Sequence, residues 1–277
     1  MGEPQNAVTD PDSGLRQYRW KGEALTSVTS MRRVVGTPFH LAAWQVNQAI
    51  DAVLDNPGLV NEALAAVARQ KRAESDDAFA TRLRKAQRRV IRQAAEVKRN
   101  VAADLGTAVH EAAESGIQSV ALDPNDSRRP FLQQWERWVD IMRPDILLQE
   151  CQVFNLTEKY AGSVDLVCDM DGESYVVDIK TGEGLYIDHA IQLCLYSLAE
   201  FVGGYDPVLD DDIEDAQATS VFRRAKKAAI LHLRPTHFEW QEVPISDDTV
   251  EAALSMVRFA RWLMDNPTME DLIRKGM

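Results

Sequence analysis

The sequence predicts an α/β core preceded by a helical lobe, and three observations carry that reading. Apolar residues recur at helical spacing through most of the first half of the chain. Three runs of strand character then follow one another over 146–156, 161–170 and 173–180, the last two joined by Asp171-Gly172. After them a helix, two further strand-like runs and a final helix close the chain. Periods near 3.6 and near 2 separate the two kinds of element.

Taken in order, residues 1–22 are polar, with Tyr18 and Trp20 as the only large anchors, and are expected to form a flexible arm. Ser27-Val28-Thr29-Ser30 leads into Met31 to Val35. A helix is expected over 38–53 with Leu41, Trp44 and Ile50 inward, then helices over 59–72, 76–98 and 101–115. The helical lobe thus occupies 23–99 and the core 100–277. A loop at Asp123-Pro124-Asn125-Asp126 precedes a helix over 131–142 that buries Trp135, Trp138 and Val139. The three strands come next, and an Asp-Gly pair between alternating runs is a strong hairpin signal. An amphipathic helix over 188–201 takes Asp188 as N-cap and places Ile191, Leu195 and Leu198 on one side. Residues 203–217 mix turn residues with an acidic run and read as an exposed loop, with Asp210, Asp211 and Asp212 solvated. Strands over 226–233 and 237–243 and a helix over 247–264 capped by Ser246 complete the chain. His232 and His237 are assigned to packing or the surface.

Chemistry concentrates between Gly162 and Tyr196. A hairpin turning at Asp171-Gly172 sets Asp165 and Asp178 nearly opposite one another on neighbouring strands, where two carboxylates can share an ion. Asp178 and Lys180 are two apart and project from one face of the sheet. A hard Mg²⁺ or Mn²⁺ favours oxygen ligands, which Asp165, Asp178 and the Ile179 carbonyl can offer. Lys180 would orient the attacking water and lower its pKa, or offset charge on the transition state. Each residue alone has a plainer reading as a turn or solvated strand group; the set, after a hairpin and before a helix, points to a metal site. Gln192 and Tyr196 lie one helical turn apart and could reach the same patch of substrate backbone, the alternative being a surface amide and a core aromatic. In Gly106-Thr107-Ala108-Val109-His110, His110 lies on a helix and shares a face with Glu114.

At 277 residues the chain can form one sizeable core with an added lobe, or two small domains. Its net charge of −12 argues at face value against a nucleic-acid partner. Distribution reverses this: the segment from Arg69 to Arg99 carries a local +7, leaving −19 for the remainder. Arg84, Arg88 and Arg92 share one helical face there and could grip phosphate, the alternative being a solvated helix face. Three unpatterned cysteines and no secretory or bilayer-spanning run imply a cytoplasmic protein without membrane attachment.

These residues resemble the PD-(D/E)XK nuclease superfamily, in its RecB-like branch, which includes CRISPR-associated adaptation nucleases and phage RecE-type exonucleases. The likeness covers roughly 100–200. It rests on GTAVH ending at His110, Glu150 in LLQECQVF, GSVD ending at Asp165, DIK at Asp178 to Lys180, and QLCLY from Gln192 to Tyr196. The resemblance implies a restriction-endonuclease-like core, a central mixed sheet flanked by helices. It further implies that His110, Asp165 and Asp178 bind metal, that Lys180 is the catalytic lysine, that Gln192 and Tyr196 position the strand, and that Glu150 is a further site residue. The Asp165 element lacks the superfamily's proline, and the literal Pro144-Asp145 pair is read as a decoy. Cys151, Cys168 and Cys194 all lie within the core, so no iron–sulfur cluster is expected.

The expected function is a Mg²⁺- or Mn²⁺-dependent DNA exonuclease without sequence preference, acting on single strands or duplex ends in repair, recombination or phage DNA processing. Alternatives are a RecE-type recombination exonuclease that forms a ring around duplex DNA, with a homo-oligomer or a recombination partner protein as the expected partner, and a non-catalytic binder of nucleic acid or protein on the same fold.

Overall fold

The structure is a computed structural model, and it describes residues 7–9, 16–35, 39–69, 75–266 and 273–274. In chain order the elements are β1 (Ala7–Thr9), β2 (Arg16–Trp20), β3 (Glu23–Ser27), α1 (Val28–Val35), α2 (Phe39–Asp55), α3 (Leu59–Arg69), α4 (Asp76–Glu114) and α5 (Arg129–Met142). Then come β4 (Asp145–Asn155), β5 (Tyr160–Met170), β6 (Glu173–Lys180), α6 (Ile187–Ser197), β7 (Phe201–Asp206), β8 (Asp211–Glu214), α7 (Ala216–Phe222), β9 (Lys227–Leu233), β10 (Phe238–Val243) and α8 (Asp247–Asp265). The chain divides into two compact units, residues 1–36 with 106–277, and residues 37–105.

The larger unit is α/β with a mixed sheet. β4, β5 and β6 form an antiparallel meander, β6 runs parallel to β9, and β9 pairs antiparallel with β10. At the start of β5, on the same edge that β6 takes further along, β3 runs parallel to β5 and continues antiparallel into β2 and β1. β7 pairs with β4 and carries β8. The β5–β6 turn holds Asp171 at φ 50° and Gly172 at φ 81°. Positive φ at both central residues is what a two-residue type I′ hairpin requires, so the Asp-Gly expectation is met by its own backbone chemistry.

α1, α6 and α8 cover one face of the sheet, burying Met31, Leu193, Leu195 and Val257 against Val164, Val167 and Val176. On the β2–β3 side Trp20, Phe154 and Phe201 cluster with ring centroids 4.6, 4.8 and 5.4 Å apart. Trp138 of α5 is buried and stacks on Trp240 of β10 at 5.9 Å.

Several expectations are corrected. Residues 7–9 and 16–20, expected within a flexible arm, are strands, with Tyr18 and Trp20 buried. The helices expected over 76–98 and 101–115 are one continuous helix, since no glycine or proline interrupts them before Gly106. Helix α6 is capped at Tyr186, whose N–H bonds His189 Nδ1 at 3.2 Å, so Asp188 lies inside the first turn. It stops at Ser197, and Phe201 already starts a strand. The acidic stretch expected as a loop is the β7–β8 hairpin followed by α7, capped by the Asp215 side chain on Ala218 N at 2.8 Å. Ile50 is exposed and Val139 half-buried. The side chains of Leu41, Trp44, Arg69, Lys98 and Arg99, and residues Lys71, Arg72 and Glu74, lie outside the described residues. Among the described residues no helix is long and apolar enough to cross a membrane.

Candidate active site

Strand register brings three carboxylates abreast. β5 pairs Leu166 with Val177 of β6, so one step further Asp165 is level with Asp178. On its other side β5 pairs Leu166 with Gln149 and Val164 with Cys151, which sets Glu150 opposite Asp165. Residues abreast on adjacent strands share a face. Glu150 sits at φ 47°, a left-handed conformation that costs free energy for a residue with a Cβ and recurs at functional positions.

The last turns of α4 deliver His110 to this face. Helix and strand approach closely there: a Cβ at Gly106 would lie 3.1 Å from Thr181 Oγ1, just past the end of β6. His110 Nε2 lies 3.0 Å from the Ile179 carbonyl, while Nδ1 faces Asp165 at 3.7 Å and Glu150 at 3.9 Å. With Nε2 donating to that carbonyl, Nδ1 carries the lone pair toward the carboxylates, as a metal-binding histidine needs. One ligand atom each from His110, Glu150 and Asp165 falls within 4.8 Å of the others. An imidazole nitrogen and two carboxylates within that span fit a divalent cation. The Ile179 carbonyl, expected as an ion ligand, is engaged by His110, and the Ile179 N–H donates to Asp165 Oδ2 at 2.7 Å.

Burial pushes the Glu150 carboxyl up to about 7, and the charges of Asp165 and Glu114 push in the same direction. Acids crowded on one face hold a proton until a cation takes its place. Asp178 is 1 % exposed, and burial raises its pKa while the Lys180 ammonium opposes the rise. Lys180 Nζ stands 2.5 Å from Asp178 Oδ2, an ion contact not aligned as a hydrogen bond. Gln192 Nε2 donates to Asp178 Oδ1 at 3.1 Å and contacts Tyr196 Oη at 3.0 Å.

The seven residues His110, Glu150, Asp165, Asp178, Lys180, Gln192 and Tyr196 are therefore brought together within the larger unit. Arg84, Arg88 and Arg92 are not among them. They lie on α4 within residues 37–105, exposed, where with Arg82, Lys85 and Arg89 they line a groove of about 840 Å³ whose described lining carries no carboxylate. Three neighbours escaped the sequence reading. Ser163 Oγ lies 3.4 Å from Glu150 Oε2, and its spacing of two from Asp165 was the available signal. Arg16 of β2, whose Nε is buried without a hydrogen bond, lowers the Glu150 pKa. His189 does the same for Asp178.

Residues 14–255 match the family model described as the PD-(D/E)XK nuclease superfamily. Solved structures also match, among them "Crystal structure of SSO0001" at 18% identity and a TM-score of 0.29, covering 48% of this chain. The chain spans 57% of the length of that structure. No curated protein sequence matches.

Proposed function

The chain belongs to the PD-(D/E)XK nuclease superfamily, hydrolases that act on nucleic acids with divalent metals, and we propose that within it this protein is a Mg²⁺- or Mn²⁺-dependent deoxyribonuclease. The finer reading is a sequence-nonspecific exonuclease of the RecB-like branch, without an iron–sulfur cluster. The observation that carries it is the convergence of His110, Glu150 and Asp165 within 4.8 Å beside the Asp178–Lys180 pair.

His110, Glu150 and Asp165 would hold the cation, with Asp178 on the adjacent strand completing the acidic face. Such an ion, when bound, acts as a Lewis acid on a phosphate oxygen and lowers the pKa of a water. Lys180, tethered by Asp178 and 22 % exposed, keeps an ammonium at the site where it can face charge developing on the phosphate. The cationic groove along α4 supports a polyanionic substrate, since no carboxylate in its described lining offsets the six cations. Cys168 and Cys194 are buried and Cys151 half-buried, with burial raising all three thiol pKa values to about 11 or 12. The three cysteines are one fewer than the four thiolates that hold an iron–sulfur cluster.

End-labelled single-stranded and duplex DNA, incubated with Mg²⁺, Mn²⁺ or EDTA, tests the reading. Progressive shortening that requires the metal is the expected result. Cleavage that persists in EDTA, or at wild-type rate in Asp165→Ala, would reject the site.

A further inference from the structure

We infer that Gln192 and Tyr196 are positioning residues for the buried Asp178 and make no contact with the nucleic acid, and that Gly162 is part of the same device. The inference rests on the nuclease reading above and assigns the pair a role other than holding the strand.

Tyr196 is 1 % exposed, with its hydroxyl already bonded to Gln192. A side chain enclosed to that degree cannot reach a polymer lying outside the protein. Gln192 is committed as well, because its amide nitrogen contacts both Asp178 Oδ1 and Tyr196 Oη. The orientation is dictated by chemistry: a carboxylate beside an ammonium only accepts hydrogen bonds, so the Gln192 NH₂, and not its carbonyl, must face it. An isolated carboxylate at that depth would be costly, and it is tolerated here because each oxygen has a partner, Gln192 on Oδ1 and Lys180 on Oδ2. One hydrogen bond from Gln192, itself held by Tyr196 Oη, and one ion contact from Lys180 thus fix the plane of the Asp178 carboxylate.

Gly162 makes room for this arrangement. A Cβ there would fall 2.4 Å from Tyr196 Cε1, far inside contact distance, so any side chain would displace the ring. Gly162 lies on β5 three residues before Asp165, and the ring of Tyr196 rests against the strand that carries that acid. Tyr196, Gln192, Asp178 and Lys180 form a continuous chain from the α6–β5 packing to the ammonium at the site.

The test separates positioning from strand contact. Gln192→Met keeps the volume and removes both amide bonds; Tyr196→Phe keeps the ring and removes the hydroxyl; Gly162→Ala moves the ring. Single-turnover rates at saturating DNA with Mn²⁺ are measured beside DNA affinity by fluorescence anisotropy without metal, with thermal melting to verify folding. The expected result for Gln192→Met is a fall in the saturated rate of about tenfold or more with DNA affinity within about twofold of wild type. Tyr196→Phe should show a smaller loss of the same kind. Gly162→Ala should share the rate loss even if its melting temperature falls. An unchanged saturated rate, or weakened DNA affinity as the main effect, overturns the inference. If Asp165→Ala and Asp178→Asn also cut at wild-type rates, the nuclease reading itself has failed, whereas dead aspartate variants beside an affinity-only Gln192→Met reject this inference alone.

Discussion

The acidic face across β4, β5 and β6 and the cationic groove along α4 are opposite solutions to handling phosphate. On the sheet, each group is held: Asp178 is enclosed, His110 is fixed by the Ile179 carbonyl, and Glu150 occupies a strained backbone position. Along the helix, Arg84, Arg88 and Arg92 are exposed and interchangeable, spaced four residues apart. The contrast teaches that chemistry demands fixed geometry and therefore burial, while affinity for a polyanion needs only charge near a surface. Damage to the first region should be all-or-none, and damage to the second graded.

The largest effect should come from the acids. Asp165→Ala or Asp178→Ala is expected to lower the cleavage rate by roughly a thousandfold, measured in single turnover at saturating DNA. If either variant retained the wild-type rate, the held region would not be the site. Lys180→Ala comes next, with a loss on the order of a hundredfold in turnover and little change in DNA affinity. A Lys180→Ala enzyme with normal turnover but weak binding would make this lysine a member of the graded class and blur the contrast.

Smaller is the groove's contribution. Combining Arg84→Glu, Arg88→Glu and Arg92→Glu in an Asp178→Ala background should reduce the log–log salt slope by roughly 0.9 per lost duplex contact or about 0.7 per single-strand contact. Chemistry at saturating DNA should survive in the otherwise wild-type chain. An unchanged slope would mean that these arginines are only solvated. The mildest prediction is a pH dependence of the metal-free protein. With the Glu150 pKa raised from 4.5 to about 7, the folded state holds that proton more tightly than the unfolded chain. The stabilisation is complete below about 4.5 and is lost as pH rises through about 7. Thermal melting should therefore decline over that interval, and Glu150→Gln should flatten the decline. A saturating divalent cation replaces the proton, so metal affinity should rise with pH across the same window.

How much of this was legible follows from how local each signal is. The Asp171-Gly172 turn, the Asp178–Lys180 face and the Ser246 cap depend on neighbours in sequence, and the structure places them as their spacing implies. The β2–β3 turn is equally local: Lys21 and Gly22 both have positive φ, but without Asn or Asp ahead of the glycine the signal is weak, so residues 1–22 read as a flexible arm from sequence. Val139 and Ile50 misled because periodicity identifies a helix face without showing whether anything covers it.

By itself the sequence determined that this chain carries hairpin-borne carboxylates beside a lysine, a histidine on a helix, and a separate concentration of arginines. Those follow from periods of two and four, which the backbone imposes on any chain. Only the tertiary structure decided which atoms meet. Glu150 stands level with Asp165 because of β4–β5 register, His110 turns Nδ1 to both because Gly106 lets α4 approach the end of β6, and Tyr196 faces inward because Gly162 leaves it space. Register and close approach are contacts between residues far apart in the chain, stabilised by packing that no local spacing encodes.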